Sequence, residues 1–165
     1  MNDSKLVQKM DFTGRKIYVG LDVHKASWNV TIQLDRHCFK TFQQPPKPEL
    51  LRNYLEENFP GGSHKVVYEA GFCGFWVQRA LSKIDIECIV VNAIDVPISG
   101  KDKIVKTDTR DSKRLASELE NGKLKPIYIP SEELEADRRV VRFRKRIQRD
   151  LTKSRNRIQC ELNLL

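Results

Sequence analysis

Nothing in the 165-residue sequence approaches the 18 or more uninterrupted apolar residues that a membrane span requires. The opening stretch MNDSKLVQKMDF has no apolar core and no small-residue cleavage site, so it does not read as a secretory signal. The expected location is the cytoplasm, with no membrane partner. Cysteine is scarce and unpaired: Cys38, Cys73, Cys88 and Cys160 form no CxxC, and His24, His37 and His64 stand at no zinc-ligand spacing from them. This excludes the usual zinc modules, and a disulfide framework is not expected in a chain without a signal. The four cysteines are expected to be reduced thiols, mostly buried. Hydrophobic residues at 39% are enough for one core and argue against wholesale disorder. The length fits one domain plus an appendage.

What is present in excess is positive charge, and it is localised. Between Arg138 and Arg157 lie ten basic residues and one acid, Asp150, a net +9. The whole chain carries +8, so the remaining 145 residues sum to −1. A solvated helix face would usually mix signs to limit self-repulsion. A ten-to-one imbalance points instead to an anionic partner, and Arg138, Arg139, Arg142, Arg146, Arg149, Lys153, Arg155 and Arg157 are the candidate nucleic-acid contacts.

Residues 1–14 are polar and aperiodic and read as a flexible leader. KIYVGLDV (Lys16–Val23) is an almost unbroken apolar run, as in a central strand buried on both faces. SWNVTIQL (Ser27–Leu34) and HCFKTF (His37–Phe42) follow after very short connections, which predicts an antiparallel meander. Pro45, Pro46 and Pro48 end it, and Pro48 suits the first turn of a helix reaching Phe59. Alternation follows: strand 65–69, helix 75–81, strand 86–91, a looser segment with Pro97 and Gly100, and a helix over 108–120 stopped at Asn121–Gly122. After the extended KPIYIP, Ser131 is the expected cap of a last helix, with Glu132 and Glu133 in its first turn. Meander then alternation implies a mixed five-stranded α/β sheet with flanking helices, the ribonuclease H-like order, over residues 15–130. The last helix, 131–165, carries a continuous apolar face from Val140 to Leu165. A stripe unfinished at Leu165 predicts a longer helix of which this chain holds the beginning.

Four carboxylates are the candidate chemistry. Asp22 lies inside an apolar strand, where an ionised group is costly unless a metal or partner compensates it. Gly20 precedes it by two on the same strand face and is expected to leave room for a bulky ligand. Glu69 closes KVVYE before Ala70–Gly71, at the strand end where open α/β sheets bind ligands. Asp108 and Asp111 are three apart at a helix start and share a face, although each also suits that position as a cap or first-turn acid. Acids from three elements are what two magnesium (or manganese) ions about 4 Å apart need as hard oxygen ligands.

GLDVHK (Gly20–Lys25), YEAG (Tyr68–Gly71), VVNAIDVP (Val90–Pro97), KTDTRDSKRLA (Lys106–Ala116), IYIPSEE (Ile127–Glu133) and RFRKRIQRDLTKSRNRI (Arg142–Ile158) together resemble the DEDD transposases of the insertion-sequence 110/1111 group. VNA stands where the family more often has VNP. The resemblance implies a RuvC-like catalytic domain in which Asp22, Glu69, Asp108 and Asp111 hold Mg2+ or Mn2+ and Asp22 bridges the ions. It implies DNA cleavage and strand transfer at insertion-sequence ends and target, and a coiled-coil-like helix after the domain that pairs copies of the chain. It also implies a further domain with a catalytic serine and, in some relatives, a structured guide RNA. Two alternatives share the same residues: a non-catalytic nucleic-acid-binding module using the basic helix alone, and a stand-alone RuvC-like junction resolvase. An actin-like ATPase also carries an Asp on its first strand, but it needs a Gly- and Thr-bearing phosphate hairpin where VHKAS stands here, and a duplicated domain.

Overall fold

The computed structural model of the chain describes residues 10–97 and 108–163, the side chains of 108 and 109 excepted. Residues 1–9 of the expected leader, the segment 98–107 with Gly100, and the end of the apolar stripe at 164–165 lie outside the described residues. The chain divides into two units, Met1–Ile127 and Tyr128–Leu165.

The first unit is built on a mixed five-stranded sheet of order β3-β2-β1-β4-β5. The meander is β1 (Lys16–Val23), β2 (Trp28–Leu34) and β3 (His37–Gln44), paired antiparallel. The β2–β3 turn is closed by Asp35 and Arg36, both in the left-handed region at φ 51° and 64°, the geometry of a two-residue hairpin that follows the twist of its strands. β4 (Ser63–Glu69) and β5 (Glu87–Val91) add in parallel on the other side of β1. Their crossovers carry α1 (Pro48–Asn58) and α2 (Trp76–Ser82). α3 (Asp108–Glu120) follows β5 after a short 3-10 turn at Ala93–Asp95. This is the ribonuclease H-like arrangement expected from the pattern of the chain.

Position in the sheet explains composition. β1 lies at the centre, and Ile17, Val19 and Leu21 on one face are wholly buried. The opposite face of the β1–β4–β5 side is covered by α3, with Val67, Val91, Val96, Leu115 and Leu119 forming one buried cluster. Burying five such side chains contributes roughly 1.5–3 kcal/mol each relative to exposure. β3 is an edge strand, and its rings pack on the α1 side: Phe42 lies tilted at 4.5 Å from Tyr54, and Phe39 meets Phe59 edge-on at 4.9 Å.

Three expectations need correction. The leader does not run free to Gly14: Phe12 is buried, edge-on to Phe59 at 5.1 Å, and its N–H donates to the Pro60 carbonyl at 2.9 Å. The apolar slot beside Phe59 exists only in the folded domain, so polar composition around Phe12 hid its role. The cysteines are indeed free, but only Cys88 is buried, while Cys38 and Cys160 are exposed and Cys73 is intermediate. Cys38 sits on the edge strand and Cys160 on the second unit's helix, neither of which the core covers. The third correction concerns Gly20. A Cβ there would stand 2.1 Å from the Ser112 carbonyl oxygen and 2.6 Å from the Ala116 nitrogen. The missing side chain makes room for the backbone of α3, not for a ligand.

The second unit is one helix, α4 (Glu132–Leu162), about 46 Å long at 1.5 Å per residue. The Ser131 hydroxyl accepts from the Leu134 N–H at 3.2 Å, the expected cap, and Glu132, Glu133 and Glu135 occupy the positive end of the helix dipole. Val140, Phe143, Ile147, Leu151, Ile158 and Leu162 are all more than half exposed, so the apolar stripe is uncovered. No helix among the described residues is long and apolar enough to cross a membrane.

Candidate active site

The parallel β1–β4 pairing reaches Leu21 opposite Tyr68, and Asp22 and Glu69 are the next residue on each strand. Residues opposite one another on neighbouring parallel strands project to the same face, with backbones about 4.8 Å apart. Asp22 and Glu69 therefore stand side by side at the carboxyl end of the sheet, on the face that α3 covers.

The seat of α3 brings the third acid to them. Gly20 lets the helix backbone come into contact with β1, and Ser112 is locked there by a buried hydroxyl pair with Thr31 at 2.9 Å. Thr31 lies opposite Gly20 on β2 and in turn meets Thr41 at 3.0 Å on β3. Asp111, adjacent to Ser112, is thereby set above the strand ends. Asp22, Glu69 and Asp111 all line one cleft of about 180 Å³, together with His24, Leu115 and the 70–73 loop. Asp108 opens α3, and its side chain lies outside the described residues.

Each described acid already has a cationic or polar neighbour. His24 Nε2 is 3.0 Å from Asp22 Oδ2. Arg114 Nη2 donates to Glu69 Oε1 at 3.0 Å and lies 3.3 Å from Asp111 Oδ1. Arg114 and Asp111 are both only 17% exposed, so this is a largely desolvated cluster in which charge must be balanced locally. Neither neighbour was singled out by sequence reasoning, yet both had a signal. His24 follows Asp22 by two, one residue past the end of β1, and Arg114 follows Asp111 by three on a helix, spacings that can bring each beside its acid.

The loop beyond Glu69 is held by Tyr68, whose hydroxyl donates to the Gly74 carbonyl at 3.0 Å. Burial pushes the Tyr68 phenol well above its ordinary value and also raises the Cys73 thiol. In both groups burial disfavours the charged form.

The carboxylates lining the cleft come from two strand ends and a helix, and hard oxygen donors of this kind suit a divalent cation. As they stand, the described residues contain no group of three His, Cys, Asp or Glu close enough to hold an ion. The Arg114 guanidinium lies between Glu69 and Asp111 and places a positive charge there.

The sheet order β3-β2-β1-β4-β5, an antiparallel meander extended by two parallel strands, is that of the ribonuclease H-like fold. The family model described as a transposase, of the DEDD insertion-sequence 110 type, matches residues 19–165, and the chain belongs to that family. It is 29% identical over 148 residues to the transposase for insertion sequence element IS1533 of Leptospira borgpetersenii, across 87% of this chain and 42% of that protein. The chain thus spans less than half the length of that relative. Among solved structures it is similar to T. thermophilus RuvC in complex with Holliday junction substrate, at TM-score 0.45 and 11% identity, over 68% of this chain and 99% of that one.

Proposed function

We propose that this domain supplies the carboxylate half of a transposase active site, cleaving and transferring DNA strands at the ends of an insertion sequence. The observation that carries this reading is the cleft shared by Asp22, Glu69 and Asp111, drawn from three elements of the chain. Asp108 is the fourth acid of the set, one turn before Asp111. These residues would hold Mg2+ or Mn2+, which when bound supplies Lewis acidity at the scissile phosphodiester. Asp22, at the centre of the sheet, would be the shared ligand. His24 would keep the Asp22 carboxylate oriented, and Leu115 and the 70–73 loop would limit access of bulk water. A serine in a further domain and a structured guide RNA belong to the same reading through family membership.

The basic residues of α4 are the proposed nucleic-acid contacts. All eight candidates, from Arg138 to Arg157, are exposed. The uncovered apolar stripe of α4 supports self-association of the chain through this helix. Work on chromosomal DNA implies a cytoplasmic, nucleoid-associated protein.

The test is cation dependence of strand cleavage, assayed with the full-length protein on a plasmid carrying insertion-sequence ends. Nicked and transferred products are expected with Mg2+, are expected to vanish in EDTA, and are expected to return when Mg2+ or Mn2+ is restored. Equal product yield in EDTA overturns the carboxylate role. A non-catalytic module would bind the same DNA and leave it intact under all three conditions.

A further inference from the structure

We propose that Arg114 is a built-in counter-cation of the acidic cleft, holding Glu69 and Asp111 together before a divalent ion enters and giving up at least one of them when it does. This rests on the reading of the cleft as a cation site.

The geometry is specific. One nitrogen, Nη2, serves both acids, at 3.0 Å to Glu69 Oε1 and 3.3 Å to Asp111 Oδ1. The acids belong to different elements, the end of β4 and the first turns of α3, so the guanidinium ties the helix start to the sheet edge. At the other end of the same group, Nε is buried and has no hydrogen-bond partner among the described residues.

Electrostatics makes the arrangement conditional. Two carboxylates in one cleft repel, and the guanidinium between them offsets that repulsion. A divalent ion ligated by Glu69 and Asp111 needs the same oxygens and would repel the guanidinium at close range. Arginine and divalent ion therefore bind the cleft in competition, a negative coupling between them. Arg114 is thus a positioning residue. It keeps the ligands preassembled, and it weakens ion affinity so that the site fills in step with its other partners.

Arg114→Met removes the charge while keeping most of the side-chain length. Titrated with Mn2+ and followed by the free-ion electron paramagnetic resonance signal, this variant should bind about tenfold more tightly than the parent. Without divalent ions its melting temperature should fall below that of the parent, and saturating Mn2+ should close most of the gap. Arg114→Lys retains a cation and should restore both the parent's affinity and its ion-free stability. If Arg114→Met does not fold, Mg2+ titration of the parent serves instead. The Arg114 Nε–H resonance should shift at the binding midpoint and stay still under matched NaCl. Equal or weaker Mn2+ binding by Arg114→Met, or an unmoved Arg114 resonance on saturation, overturns the counter-cation role while leaving the cation site standing. Parent and variant that both bind no more Mn2+ than Asp22→Asn would overturn the cation site itself and this inference with it.

Discussion

Asp22→Asn is expected to lower strand transfer by about three orders of magnitude in the full-length protein while leaving the domain folded. The activity loss follows from the position of Asp22 at the centre of the sheet, where it is the proposed shared ligand. Losing one such interaction, worth roughly 4 kcal/mol in the transition state, corresponds to about a thousandfold in rate. The fold should hold for a local reason. Asp22 is 22% exposed, and its carboxylate lies 3.0 Å from the half-exposed His24, a contact that an asparagine oxygen can also make. The stability change should stay within about 1 kcal/mol, because exposed and half-exposed pairs contribute little. Circular dichroism and thermal melting measure the second half of the statement, and product formation in Mg2+ measures the first. Full turnover by a folded Asp22→Asn would be incompatible with a carboxylate-centred mechanism.

The second large effect concerns α4. If six of its ten basic residues meet phosphates, the logarithm of DNA affinity should fall against the logarithm of salt concentration with a slope near −5, at about −0.9 per phosphate on duplex DNA. Between 50 and 200 mM salt that is a loss of about a thousandfold. Arg142, Arg146 and Arg149 share a helix face at steps of four and three, and all are exposed. Changing the three to Ala should flatten the slope by about 3 if each touches phosphate, with little change in sequence preference, since phosphate contacts position a protein without reading bases. A fluorescence-anisotropy salt titration of this chain with duplex DNA reads the slope directly. An unchanged slope in the triple variant would assign this face of α4 to protein–protein contact.

How far the chain announced its own structure depends on whether the deciding interaction is local. β1 and α3 have the bounds read from their residues, because an apolar run between polar flanks and a helix bracketed by Asp108 and Asn121–Gly122 are self-contained signals. Gly122 takes φ 67° and its N–H donates to the Leu119 carbonyl, with Lys123 bonded back to Glu118, the glycine-terminated helix end expected there. Asp22 stood out for a related reason, since a charge inside an apolar strand is anomalous wherever the rest of the chain lies, whereas Asp108 and Asp111 also suit a helix start as cap and first-turn acid. Phe12, Gly20 and Arg114 were misread or missed because their partners, Phe59, Ser112 and Glu69, are distant in sequence. Gly20 is the instructive case. A missing side chain looks the same along the chain whether a ligand or a helix fills the space, and only the seat of α3 decides which.

The acids at the carboxyl edge of the sheet are proposed to form one cation site, and the most direct measurement of it is where Mn2+ binds. Crystals of the domain soaked in millimolar Mn2+ and measured at the manganese absorption edge should show an anomalous peak in the cleft bounded by Asp22, Glu69 and Asp111. The Asp22 and Glu69 carboxylates should lie within the span of a two-ion site, ions about 4 Å apart. No peak in that cleft at full occupancy elsewhere, or carboxylate oxygens of Asp22 and Glu69 more than roughly 10 Å apart, would contradict it.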